Sequence, residues 1–193
     1  MSLSKREMIL AAALELFTER GFQATSTALI AKTAGVATGT LFHHFESKEA
    51  LINQLYLDIK LAMATAMVPE KSMSSLSSVE QLKVAAAVLW RQALEWCITH
   101  HKEARFFAQY NHSPYIDKQT VAQAQTQVLG FVTELIEQGQ AIAIFKPLPA
   151  PLLYEVCHGL MLQTAFFYIE AESRPSETDI EQTFGLLWDA LHA

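Results

Sequence analysis

Between positions 25 and 48 the chain gathers groups that could hold a polyanion. Thr25, Thr38 and Thr40 carry hydroxyls, His43 and His44 carry ring N–H donors, and Lys48 carries a full charge. A threonine can donate to a phosphate or a base edge and offer its methyl to thymine. A histidine adds charge when protonated, and a lysine reaches a phosphate as a point charge. Gly39 beside Thr40 keeps that stretch of backbone low enough to approach a groove. The rest of the sequence offers less chemistry. His43-His44 and His100-His101 are adjacent pairs, and neighbouring helical residues point about 100° apart, so neither pair can share an ion. Nothing in the spacing joins His112 to His158. Cys97 and Cys157 read as buried apolar residues, without a Cys-His-acid pattern for a nucleophile. No glycine-rich phosphate loop or zinc-ligand pair occurs. The expectation is therefore no metal, no cofactor and no catalytic constellation.

Those groups must be positioned by helices. Ile9, Ala12, Ala13, Leu16 and Phe17 form an i, i+3, i+4, i+7, i+8 stripe over Ser4 to Arg20, ended by Gly21. Ser26 caps a short helix from Thr27 to Ala34, which stops at Gly35, and a second short helix runs from Thr38 to His44. Two short helices about the Gly35-Val36 turn make a helix-turn-helix, locked by Ile30, Ala31, Ala34, Val36 and Leu41. Ser47 caps a long helix to Met67, and Val68 to Ser78 reads as a loop. Further helices are expected from Ser78 to His100, Lys102 to Asn111, Asp117 to Gln138 (closed by Gly139), Leu152 to Glu172 and Ser176 to Leu191. No segment sustains strict alternation and no repeat is present, so the fold class is all-α with nine helices.

The chain has 193 residues, 51% of them hydrophobic and 18% charged, enough for a core without staples. Two cysteines fit a reducing, cytoplasmic setting. No apolar run approaches the roughly 18 residues of a membrane span, and no signal-peptide core is expected. The net charge of −6 at first argues against nucleic acid, but it is unevenly placed. Residues 1–60 hold six bases and six acids, whereas 61–193 hold eight bases and fourteen acids.

Gly35-Val36-Ala37-Thr38-Gly39-Thr40-Leu41-Phe42-His43-His44-Phe45, followed by Ser47-Lys48-Glu49-Ala50-Leu51, resembles the signature of the TetR (tetracycline-repressor-like) family of bacterial regulators. Phe17-Thr18-Glu19-Arg20-Gly21-Phe22 and Ala24-Thr25-Ser26 resemble it too, so the likeness covers about the first 55 residues. The resemblance implies a three-helix DNA-binding head over 1–47 and a ligand-binding, dimerising body over 48–193, joined by the fourth helix. It implies that Thr25 and Lys48 contact phosphate and that Thr38, Gly39, Thr40, Phe42, His43 and His44 lie on the recognition helix. It further implies a homodimer on a near-palindromic DNA operator, released by a small-molecule effector. Ala37 stands where the family has a serine cap, Thr38 where lysine is frequent, Ala28 where arginine is common, and Phe42 and His44 where tyrosine is common. Fewer charge contacts to phosphate are expected in consequence.

The second half is rich in aromatics. Trp90, Trp96, Phe107, Tyr110, Phe131, Met161 and Phe166, with His158 and Gln163 as polar anchors, suit a mostly apolar ligand pocket. Leu153, Val156, Leu160, Thr164 and Phe167 form one late helical stripe; Phe184, Leu187, Trp188 and Leu191 form another. A dimeric four-helix bundle would bury both. The alternative to a repressor is a small-molecule-binding helical protein that has lost its operator.

Overall fold

A computed structural model of the chain describes residues 3–67, 76 and 78–193. The loop expected over 68–78 lies outside the described residues, apart from Leu76 and Ser78. Among the described residues there are ten α-helices: α1 (Lys5–Ala24), α2 (Thr27–Thr33), α3 (Thr38–His44), α4 (Lys48–Ala66), α5 (Val79–Thr99), α6 (His101–Tyr110), α7 (Lys118–Gln123), α8 (Gly130–Ala141), α9 (Ala150–Glu170) and α10 (Glu177–Leu191).

The helix starts follow from their caps. Ser4 and Glu7 close a reciprocal capping box on α1, as Ser176 and Asp179 do on α10. Ser26, Ser47, Ser78 and Asp117 each accept from a backbone N–H three residues on. Gly21 breaks α1 at φ 79°, and Gly35 turns α2 into α3 at φ 68°, a region that a Cβ disfavours.

Two departures from the sequence expectation are informative. The single helix expected over 117–138 is divided into α7, a π-helical turn at 124–128, and α8. Leu129, between the turn and α8, leaves helical geometry at φ −111°, ψ 19° and is buried. Gly139 does not close the helix; it lies inside α8, which ends at Ala141 with Ile142 as its C-cap. The left-handed residue after the helix is Ala143, at φ 57°. An L-residue pays roughly 1–2 kcal/mol there, so Ala143→Gly is expected to raise stability by about 1 kcal/mol in urea denaturation.

The helices sort into two compact units, each assembled from separate stretches of chain. The first takes residues up to Leu61 together with Lys102–Ala124; the second takes Ala62–His101 and Gln125–Ala193. In the first, α1, α2 and α3 pack on one another around Ile9, Ala13, Phe17, Ile30 and Leu41, all fully buried. The α6 segment closes this core. Tyr110 donates its hydroxyl to the Phe17 carbonyl at 2.9 Å, Gln109 donates to the Thr18 carbonyl at 3.2 Å, and Tyr115 stacks on Phe22 at 4.2 Å. Asn53 of α4 donates to the Tyr115 carbonyl and accepts from the Asp117 N–H, while Tyr56 donates to Asn111.

In the second unit α9 is central, packed against α5, α8 and α10. It is the one described helix long and apolar enough to cross a membrane by length and composition, with a window of mean hydropathy 1.2. The sequence expectation had found no such run. Here the apolarity serves packing: Leu153, Tyr154, His158, Met161, Leu162, Ala165 and Tyr168 are buried. Residues 144–146 pair with the chain end, Lys146 N–H to the Leu191 carbonyl and Ala193 N–H to the Ile144 carbonyl. That pairing holds Phe145 edge-on against Trp188.

Candidate nucleic-acid interface and core cavity

The recognition helix α3 sits on its partners through few residues. Leu41 is fully buried and Phe45, its C-cap, nearly so, while Ile30, Ala31 and Ala34 form the seat from the side of α2. The opposite face is open: Thr38, Gly39, His43 and His44 are exposed, Phe42 is 47% exposed and Thr40 half-buried. Ala37 supplies no side-chain cap, so the Thr38 and Gly39 N–H groups start α3 without one. The His43 and His44 rings stand edge to face, 5.4 Å apart.

Thr25 and Lys48 do something other than face outward. Thr25 is fully buried, and its hydroxyl donates to the Gly21 carbonyl at 2.8 Å and the Leu16 carbonyl at 3.2 Å. The Lys48 ammonium donates to the carbonyls of Phe22 at 2.8 Å and Thr25 at 2.9 Å, and lies 4.1 Å from the Phe22 ring. Thr25 thus fastens the end of α1 to its own preceding turns, and Lys48 ties that end to the start of α4. These internal bonds, drawn by carbonyls at the α1 terminus that lack helical donors, engage the two groups for which the resemblance implied phosphate contacts.

Other bases of residues 1–60 are likewise engaged. Arg6 pairs with Asp58 at 3.0 Å and lies over the Phe45 ring. Lys60 is 1% exposed, with its ammonium 4.2 Å from the Phe107 ring. Lys5, Arg20 and Lys32 are the exposed bases of that stretch. The first unit nevertheless carries nine bases against eight acids, and the second five against twelve, so the charge asymmetry read from halves is sharper between units.

The second unit holds a partly open cavity of about 90 Å³. A single water needs roughly 10–15 Å³, so there is room for a molecule. Its walls come from α5 (Ala86, Leu89, Trp90, Ala93), from Leu129 and α8 (Val132, Leu135, Ile136), and from α9 (Tyr154, Cys157, His158, Met161). Phe145, Leu187 and Leu191 complete it with Met63 and Met67. Burial pushes the Cys157 thiol up to about 12, so the thiol stays protonated. Cys97 is fully buried with its sulfur 3.3 Å from that of Met161.

Of the expected pocket residues, Trp90, His158 and Met161 line this cavity. The others do not. Trp96 stacks on His100 at 4.7 Å, and Phe131, Phe166 and the exposed Gln163 lie elsewhere on α8 and α9. Phe107 and Tyr110 belong to the core of the first unit, where burial raises the Tyr110 phenol above its ordinary value. The α10 residues Phe184, Leu187, Trp188 and Leu191 are all buried within the single chain, the two leucines in the cavity wall. On α9, Leu153 is buried, Leu160 and Thr164 are half-buried, and Val156 and Phe167 are exposed, Phe167 at 67%. The residues missed by sequence reasoning had a signal in Ala86, Leu89, Trp90 and Ala93, an i, i+3, i+4, i+7 series.

A helix-turn-helix with an exposed second helix, and a second helical unit holding an apolar cavity, suit a DNA-binding regulator. Comparison with known proteins makes this specific. Residues 9–55 match the model described as bacterial regulatory proteins, tetR family, and residues 82–192 match that of the tetracyclin repressor-like C-terminal domain. A TetR-family transcription regulator from Shewanella sp. PV-4 is 40% identical, with a TM-score of 0.88 over 99% of this chain and 100% of that one. The HTH-type transcriptional repressor KstR2 of Mycobacterium tuberculosis is 28% identical over 155 residues, 78% of this chain and 74% of that protein. The regulator FadR from Bacillus subtilis, solved in complex with stearoyl-CoA, shares the fold at 20% identity and a TM-score of 0.71, over 96% of this chain and 99% of that one. The chain belongs to the TetR family and is a DNA-binding transcriptional regulator.

Proposed function

We propose that the protein is a cytoplasmic repressor which, as a homodimer, holds two α3 helices in successive major grooves of a near-palindromic operator. Such half-sites lie about 34–36 Å apart. An effector occupying the cavity favours a state whose heads no longer fit that spacing. It can do so only through its differential affinity for the two states, typically about 1–3 kcal/mol. The observation that carries this reading is the composition of the cavity wall. Met63 of α4 and Met67 just after it line the cavity, and α4 is the helix that begins at Lys48. One continuous helix thus runs from the clamp on the head to the effector's surroundings.

The operator contact is tested with a duplex from the promoter of the protein's own gene. Sequence-specific retardation is expected, and Thr38→Asp should weaken it at least tenfold. An acidic residue in the first helical turn favours the helix itself, so the loss reports repulsion of DNA. Equal retention of every sequence would leave the ligand-binding alternative standing. Pairing of two copies is assigned to the exposed α9 face. Phe167→Glu, at a site 67% exposed in the single chain, should give a monomer by sedimentation without loss of helix content. An unchanged dimer places the interface elsewhere.

A further inference from the structure

We propose that residues 124–129 form a two-state helical element, which converts from a π-turn to regular α-helix when the cavity is occupied. Leu129 is the side chain that reads the occupancy. This inference rests on the reading of the cavity as the effector site and gives that site a second output besides α4.

Three observations carry it. First, the break in this helix has no local cause. Asp117 to Leu129 holds neither glycine nor proline, and the sequence reads as one helix through to Gln138. The structure instead has a π-helical turn over 124–128, followed by Leu129 outside helical geometry at φ −111°, ψ 19°. A local preference overruled by tertiary contacts marks an element with two closely matched states, and π-turns inside helices recur at functional sites. Second, the contacts that overrule it are in place. Leu129 is 2% exposed and stands in the cavity wall, and the Gln125 amide donates to the Glu155 carboxylate of α9 at 3.0 Å. No cap adds to them: Leu129, at the N-cap position of α8, gives its first N–H groups no side-chain acceptor. A ligand that takes the place of the Leu129 side chain in the wall therefore removes the main apolar hold on the turn.

Third, the turn lies where its conversion is felt. The chain passes from the first unit to the second between Ala124 and Gln125, inside the turn. Taking one more residue into a regular helix rotates what precedes it by about 100° and moves it about 1.5 Å along the axis. What precedes it is α7, whose N-cap Asp117 donates its backbone N–H to the Asn53 side chain of α4 at 2.9 Å. Occupancy is thus delivered to α4 at Asn53, near the start of that helix at Lys48.

The test follows amide hydrogen exchange over 118–141 in the full-length protein, with and without 1-octanol, alongside isothermal titration and operator retardation. In the natural protein the amides of 125–130 are expected to exchange at least tenfold more slowly once the alcohol is bound, as regular helical bonds replace the turn. Leu129→Ala should show that slow exchange with no ligand present. Deletion of Gln127, an exposed residue outside the cavity wall, takes the extra residue out of the turn. That variant should bind 1-octanol within threefold of the natural affinity, yet its grip on the operator should change less than twofold when the alcohol is added. Exchange that bound alcohol leaves unchanged, or a folded deletion variant released from the operator as readily as the natural protein, would overturn the inference and leave the cavity as the effector site. If the natural protein binds no alcohol, the cavity reading falls and the switch falls with it.

Discussion

Replacing Lys48 with methionine is expected to destabilise the head by about 2–3 kcal/mol and to leave the salt dependence of operator binding unchanged. The Lys48 ammonium serves two carbonyls at the end of α1 and packs over the Phe22 ring. Hydrogen bonds from a charged donor contribute roughly 1.5–3 kcal/mol, and a partly exposed cation–π contact about 0.5–1. Methionine keeps the stem and removes all of these. Thermal unfolding should move down by at least about 5 °C for a chain of this size. Operator affinity falls because the start of α4 is no longer held to α1. The slope of log K against log salt separates this account from the family expectation. A lysine neutralising one phosphate contributes about 0.9 to that slope, so a dimer losing two such contacts would become shallower by about 1.8. An unchanged slope with a lowered melting temperature supports the clamp; a shallower slope at constant stability would show that Lys48 leaves its carbonyls for the DNA.

Gly139→Ala is expected to abolish the effector response without touching the recognition helix. A Cβ at Gly139 would stand 2.2 Å from Cδ2 and 2.5 Å from Cε2 of Phe145. The backbone of Phe145 cannot retreat easily, because its N–H bonds to the Gly139 carbonyl and the neighbouring Lys146 is paired with the chain end. The ring must therefore swing, and it forms part of the cavity wall. Overpacking of this kind costs roughly 1–3 kcal/mol. Titration with 1-octanol, a probe suited to the mostly apolar cavity, should show at least a tenfold loss of affinity, while retardation of the operator by the ligand-free variant stays within twofold. Tight alcohol binding by the variant would mean that the ring moves away from the cavity.

What could be read from the amino-acid order alone divides along a physical line. Caps and breaks are local, so Ser4, Ser26, Ser47, Ser78, Asp117 and Ser176 located their helices, and Gly21 and Gly35 located the turns. The helix-turn-helix was legible for the same reason, since α2, its turn and α3 depend on neighbours a few residues apart. Gly139 misled because a glycine near a helix end serves equally as a terminator and as a space for a distant ring, and only tertiary structure brings Phe145 there. The cavity lining was half legible. Periodicity shows which residues point inward, and Trp96, Phe131 and Phe166 belong to such patterns, but it does not show which inward face meets a gap. The same limit applies to Lys48. Its chemistry suits a phosphate, yet the carbonyls that engage it become neighbours only when α1 and α4 meet.

The order in which the first unit's pieces leave the ribosome differs from the order in which they are needed. The head sequence is complete by residue 61, but Tyr110, which binds the Phe17 carbonyl, and Tyr115, which covers Phe22, come with the stretch that ends at Ala124. At about 5–20 residues per second, elongation takes roughly 3–13 s to supply that stretch. Through that interval a nascent chain carries the recognition helix without the segment that finishes its core. Competence to grip DNA therefore arrives during translation only after the first 40 of the second unit's 109 residues have been made, and a messenger truncated before that point yields no finished head to occupy operators unresponsively.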